Sequence, residues 1–372
     1  MPLKILIIPD KFKGTLTAQA AAQAIARGWR KARPQDKVDL LPMSDGGDGF
    51  GEVFSRLLHA RPQTVKTVDA AHRAIRTRWW WEPKSKTAII ESTRIIGLAM
   101  LPPGKFHPFD LDTFGLGAAL RAAAKRGARH CLIGIGGSAT NDGGFGMACA
   151  LDWQFLDLNG TTLERWTELG SLDRIVPPGS SLVKKMKIIV AVDVQNRLLG
   201  PRGASRVYGP QKGLRPEDFP PAERCLSRLA RVVKKHFTKD FASVPGAGAA
   251  GGLGFGLFAF TGARAESGVE LFARYAQLTK RLRGVDLVIT GEGAIDKSTL
   301  MGKGVGETAR RCRNLKIPCI GLAGVLNDQL LLKRQFTEVH CLTPEMTTPD
   351  KAKTRAAFWL EELAAKVGKS YA

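Results

Sequence analysis

Glycine in this chain falls directly after short apolar runs, and that placement constrains the fold more than any other feature. Cys131-Leu132-Ile133 runs into Gly134, and Leu287-Val288-Ile289-Thr290 runs into Gly291. A repeated order of strand, glycine turn and helix is what an α/β protein uses to aim backbone amides at a ligand. The 41 glycines therefore argue for an α/β fold with ligand loops at strand ends.

The individual elements follow from the same pattern. Residues 4–8 read as a buried strand, and Thr17 is placed to cap an alanine-rich helix over 18–31. A second strand at 38–41 ends in Met43-Ser44-Asp45-Gly46-Gly47-Asp48-Gly49, with a short helix after it. Residues 75–81 and 87–91 flank Pro83-Lys84-Ser85-Lys86 and predict a β-hairpin, so antiparallel structure enters here. A helix over 111–125 stops at Gly127 and leads to the strand at 131–133. Further strands are expected at 187–192, 286–290, 319–323 and 338–342, and helices at 216–236, 305–313 and 328–334.

A chain of 372 residues exceeds one ordinary core. Simple strand–helix alternation at both ends predicts a discontinuous, Rossmann-like parallel-sheet domain from residues 1–70 and 282–372. A mixed α/β domain is expected to be inserted over 71–281.

Composition excludes several classes. No apolar run reaches the roughly 18 residues of a membrane span, and the N-terminal apolar stretch is too short for a signal peptide. Six cysteines without CxxC spacing and six histidines without metal-ligand spacing predict a reduced, cytoplasmic protein with no structural zinc. The net charge of +22 admits a nucleic-acid binder. The basic residues are nevertheless spread over predicted helix surfaces, with no arginine-rich tail, which favours a solvated basic surface that gathers anionic substrates.

Three glycine-rich segments compete as phosphate sites. Gly291-Glu292-Gly293-Ala294-Ile295-Asp296-Lys297-Ser298 misses the P-loop pattern at its second glycine, where Asp296 would oppose a phosphate. Glu292 and Asp296 instead read as Mg²⁺ or hydroxyl partners, or as a helix cap. Gly134-Ile135-Gly136-Gly137-Ser138-Ala139 satisfies G-x-G-x-x-A but continues as the polar Thr140-Asn141-Asp142, where a dinucleotide fingerprint would be an apolar helix face. Gly246 to Gly251 satisfies G-x-G-x-x-G, with backbone close packing as an equal reading. These two matches leave a nicotinamide-dependent oxidoreductase of a small hydroxy acid as the alternative. Asp10, Asp45 and Asp193 join Glu292 and Asp296 at strand ends, more acids than capping ordinarily supplies, which favours metal-assisted phosphoryl transfer. Lys11, Lys13, Lys212 and Lys303 are the candidate phosphate cations, each also readable as surface charge.

Taken in order, PDKFKGTLTA from Pro9, MSDGGDG from Met43 and GGSATNDGG from Gly136 resemble the type 1 glycerate kinase family. AVDVQNRLLGPRGASRVYGPQKG from Ala191, PGAGAAGGLG from Pro245, TGEGAID from Thr290 and then Gly302-Lys303 extend the resemblance. It implies ATP and Mg²⁺ as cofactors, D-glycerate as substrate, 2-phosphoglycerate favoured over 3-phosphoglycerate as product, and a site between two dissimilar α/β domains. It further implies Asp193, Lys13, Asp45, Glu292 and Asp296 as catalytic residues, with Asp193 and Asp296 as the metal partners. Asp10, Gly46, Gly47, Ser138, Thr140, Asn141, Asp142 and Lys212 would bind substrate or nucleotide. A monomer or homodimer is expected, with no nucleic-acid or membrane partner. The chain departs from the family pattern at Lys11, after Asp296, and at Gly304-Val305.

Overall fold

The computed structural model describes residues 1–300, 304–327 and 335–371. Its strands are β1 (Lys4–Pro9), β2 (Lys37–Leu40), β3 (Arg61–Val68), β4 (Ala74–Glu82), β5 (Thr87–Glu91), β6 (His130–Gly134), β7 (Gln154–Leu156), β8 (Arg174–Val176), β9 (Lys187–Ala191), β10 (Arg264–Glu266), β11 (Leu287–Ile295), β12 (Cys319–Leu326) and β13 (Glu338–Thr343). The chain divides into two compact units, Met1–Asp45 with Val269–Ala372, and Gly46–Gly268.

In the terminal unit five strands pair in the order β13-β12-β11-β1-β2, all parallel. β1 lies inside this sheet, and its Ile5, Leu6, Ile7 and Ile8 are at most 1% exposed. A continuous apolar run is what a strand covered on both faces needs, and each such side chain contributes about 1.5–3 kcal/mol by burial. The helix Ala18–Ala32 begins where the Thr17 side chain accepts from the Ala20 amide at 3.1 Å. Its Ala22, Ile25, Ala26 and Trp29 recur at helical spacing and share a core with Leu360, Leu363, Ala364 and Val367 of the helix Ala356–Lys369.

The inserted unit carries a six-stranded sheet in the order β10-β9-β6-β5-β4-β3. β5, β6, β9 and β10 are mutually parallel, while β3 and β4 are antiparallel. All four parallel strands consequently present their carboxyl ends at one edge. Phe145, Phe155, Phe255 and Phe260 belong to this unit's core.

Both chain ends thus share one parallel sheet, with a mixed-sheet unit inserted between them, as the α/β pattern predicts. The division falls at Asp45 and Val269 rather than at residues 70 and 282. The reason is local: β3 pairs along its full length with β4, which ties residues 61–68 to the inserted sheet. Two helices, Gly268–Tyr275 and Leu278–Leu282, precede β11, broken at Gln277 with φ 49°. The helix expected at 328–334 lies outside the described residues. All six cysteines are free, and five are buried.

Candidate active site

The terminal unit places its acids at a reversal of strand order. Taken as β2-β1-β11-β12-β13, its sheet runs outward in two directions from the β1/β11 pair, and open α/β sheets bind ligands at the carboxyl ends of such a pair. Asp10 follows β1 directly, and its amide donates to the Gly291 carbonyl of β11 at 2.8 Å. Asp10 is 8% exposed, and burial pushes its carboxyl up to about 7, helped by repulsion from Asp45 and Glu292. Lys11 Nζ lies 3.3 Å from Asp45 Oδ1. Glu292 Oε1 accepts from the Thr299 hydroxyl at 2.8 Å. Asp296 accepts from the Thr299 amide at 3.3 Å, so it caps the turn Lys297–Leu300, while residues 291–295 are strand rather than phosphate loop. Lys13 is exposed. Gly302 and Lys303 lie outside the described residues.

The donor set of this cluster is all oxygen, and burial, helped by repulsion from Asp45 and Glu292, holds the Asp10 carboxyl up at about 7. Hard carboxylates in excess suit Mg²⁺, which binds through one or two of them and completes its shell with substrate phosphates and water. Among the described residues no three His, Cys, Asp or Glu side chains stand close enough to enclose a metal by themselves.

In the inserted unit the carboxyl ends of β5, β6, β9 and β10 carry Glu91, the loop from Gly134, Asp193 and Ser267. Gly46 holds φ 103°, and a Cβ there would sit 2.8 Å from the Ala191 carbonyl, so the turn into Gly47 requires glycine. The Gly46 carbonyl accepts from the Gly136 amide at 3.1 Å, which ties the two glycine loops together. Glu91 is buried and accepts from the amides of Gly49 and Gly51 at 3.1 and 2.8 Å. It thereby satisfies the open N-terminus of the helix Phe50–Leu57.

The loop after β6 surrounds a lysine. Lys212 is 6% exposed and donates to the Thr140 carbonyl at 2.7 Å and to Ser138 Oγ at 3.1 Å. Burial lowers its ammonium to about 7, opposed in part by Asp142. The surface-charge reading of Lys212 is therefore overturned. Asn141 Nδ2 donates to Ser205 Oγ at 3.0 Å, while Asn141 Oδ1 and Thr140 Oγ1 are buried without a hydrogen-bond partner. Polar atoms in that condition cost free energy unless a ligand or water meets them.

Asp142 sits inside the protein and turns its carboxylate inward. It accepts from the Thr113 amide and hydroxyl at 2.9 and 2.6 Å and from the Gly146 amide at 2.9 Å. Burial and the nearby Asp112 raise it to about 6. Asp193 follows β9, and its Oδ1 accepts from the Ser267 hydroxyl at 2.6 Å. The segment from Gly246 serves close packing: Gly251, at φ 68°, approaches so near that a Cβ would lie 1.9 Å from the Thr140 carbonyl oxygen. It supports the lysine loop instead of cradling a dinucleotide.

The structure thus groups Asp10, Asp45 and Glu292 in one unit, and Ser138, Thr140 and Lys212 in the other. Glu91, Ser205 and Ser267 were missed from sequence. Glu91 ends an apolar run as Asp10 does, so the same strand-end signal would have found it. Nothing local marks the two serines.

The profile of the Glycerate kinase family matches residues 5–372. The chain belongs to the glycerate kinase family. It is 35% identical to a glycerate kinase of Halalkalibacterium halodurans, over 98% of this chain and 97% of that one. It is 38% identical to a glycerate 2-kinase of Escherichia coli, over 88% and 87% of the two chains. A crystal structure from Salmonella typhimurium LT2, assigned as glycerate kinase 2, superposes with a TM-score of 0.83 at 33% identity, covering 100% of this chain and 98% of that one. Family membership makes the chain a phosphotransferase that uses ATP, which sets aside the oxidoreductase alternative. Among the described residues no helix is long and apolar enough to cross a membrane.

Proposed function

We propose that the chain transfers the γ-phosphoryl group of ATP to the 2-hydroxyl of D-glycerate with the help of Mg²⁺. The observation that carries this reading is Lys212, a buried lysine on the Ser138 hydroxyl and Thr140 carbonyl beside two unpartnered polar atoms. A lysine lowered to about 7 is poised to take up a proton when an anionic phosphate arrives, and it then places positive charge where the transferring group carries negative charge. The glycerate 2-kinase name of the Escherichia coli relative supports the 2-hydroxyl.

Asp193 is the proposed base for the acceptor hydroxyl, oriented by Ser267. Mg²⁺, when bound, neutralises phosphate charge, and Asp193 and Asp296 are the proposed protein partners. Asp10, Asp45 and Glu292 supply the further carboxylates, and Ser138, Thr140 and Asn141 the polar contacts to substrate or nucleotide. Gly46 and Gly47 are the proposed loop contacts to substrate or nucleotide, and Lys13 is an exposed cation. Asp142 contributes by holding its loop against Thr113.

ADP release with ATP, Mg²⁺ and D-glycerate, run beside hydroxypyruvate, lactate and tartronate, tests the reading. Glycerate-dependent ADP formation supports it. No ADP with glycerate, together with an absorbance change at the reduced-nicotinamide band on 2-hydroxy acids, would sink it.

A further inference from the structure

The proposed chemistry names only Lys212 and Lys13 among 56 lysines and arginines, and the inserted sheet shows where some of the others gather. At the amino ends of the parallel strands, opposite the edge that carries the glycine loops, Thr87, His130 and Lys187 stand side by side in register across β5, β6 and β9. One residue earlier, the Arg129 amide donates to the Lys86 carbonyl at 2.9 Å, and the Lys187 amide donates to the Arg129 carbonyl at 2.8 Å. A cavity of about 530 Å³ opens here, with Arg129, His130, Lys185 and Lys187 around an apolar wall of Ala124, Ala128 and Leu182. Its lining contains no acid.

Among the described residues some surface cations find carboxylates, as Arg27 does with Glu361 and Arg281 with Asp39, and others, such as Lys66, Arg76 and Arg78 on β3 and β4, do not. Among the described residues the four side chains at this cavity make neither an ion pair nor a side-chain hydrogen bond. Gathered around one concave surface, Arg129, Lys185 and Lys187 present positive charge to whatever enters it. The helix Phe114–Lys125 ends nearby, and its carbonyls account for Lys125 in the last turn and Arg126 at the C-cap. Lys185 and Lys187 come from another segment, which that explanation does not reach.

We propose that this cavity is a second anion site, distinct from the catalytic residues, for a small molecule carrying two or more phosphoryl groups. Concavity and the apolar wall favour a compact guest. A nucleic-acid backbone would need an extended stripe of cations instead.

Isothermal titration of sodium tripolyphosphate into the wild type, Lys185→Glu/Lys187→Glu and Asp193→Asn tests this at fixed ionic strength. The proposal expects the wild type and Asp193→Asn to share a binding component that falls at least tenfold in affinity in the double variant. Glycerate phosphorylation by the double variant, without polyphosphate, should keep its kcat and its KM for ATP. Lys185→Gln/Lys187→Gln serves if charge reversal prevents folding. Identical isotherms for wild type and variant overturn the proposal. So does binding of a 20-base-pair duplex that depends on these lysines while tripolyphosphate binding does not.

Discussion

The Asp10 amide donates to the Gly291 carbonyl at 2.8 Å, joining the end of the first strand to the middle of β11, whose residues pair with it 282 positions later in sequence. That bond sets a buried acid at the point where the terminal sheet reverses its order. Burial first, and repulsion from Asp45 and Glu292 after it, raise the titration of that acid.

Asp10 is raised from 3.8 to about 7, so between those values the folded chain holds more protons than the unfolded one. Its contribution to stability is complete below pH 3.8 and is lost as pH rises through about 7. Asp10→Asn removes that loss. Melting in metal-free buffer should show the variant gaining more over the wild type at pH 8 than at pH 4. Equal gains at both values would contradict the buried-acid account.

Lys212 has the opposite sign. Its ammonium is lowered from 10.5 to about 7, so its contribution is complete above pH 10.5 and is lost as pH falls through about 7. Lys212→Met should therefore stabilise the free protein more at pH 6 than at pH 10. It should also lower kcat by roughly 100-fold or more if the charge meets the transferring group. Melting curves and initial rates separate the two effects. Unchanged rates with altered melting would make Lys212 purely structural.

Asp193→Asn should lower kcat by roughly 100-fold or more while melting within a few degrees of wild type, as expected for a base. Ser267→Ala removes only one hydrogen bond to that carboxylate, an effect of about 1 kcal/mol, or roughly a fivefold loss. Steady-state rates check both. Wild-type activity in Asp193→Asn would remove the assignment.

Gly251→Ala drives a methyl group into the Thr140 carbonyl at a left-handed residue. A loss of about 3 kcal/mol or more is expected, read by urea unfolding, since neither backbone has a flexible end to move. A stable, active variant would show that the segment from Gly246 does not brace the lysine loop.

What the sequence made legible is what local pattern encodes. The run Ile5–Ile8, the Thr17 cap and the hairpin from Ala74 to Glu91 each follow from neighbouring residues. β3 escaped because Arg61–Val68 is polar and mostly half-buried or exposed, and opens with Arg-Pro. The helix Ala356–Lys369 escaped because its packing partner lies at the other end of the chain. The site divides along the same line. Acids at strand ends were visible, but the hydrogen bonds of Ser205 and Ser267 close over 64 and 74 residues and leave no local mark. Lys212 was legible as a candidate phosphate cation but not as a buried one, since burial is decided by the loop that folds over it.

Phosphorus NMR of the product formed from ATP, Mg²⁺ and D-glycerate tests the central claim most directly. The account predicts ADP and 2-phosphoglycerate in equal amounts, and neither with Lys212→Met on the same timescale. A 3-phosphoglycerate resonance would contradict the proposed acceptor hydroxyl. The absence of any glycerate-dependent phosphate ester would contradict the claim itself.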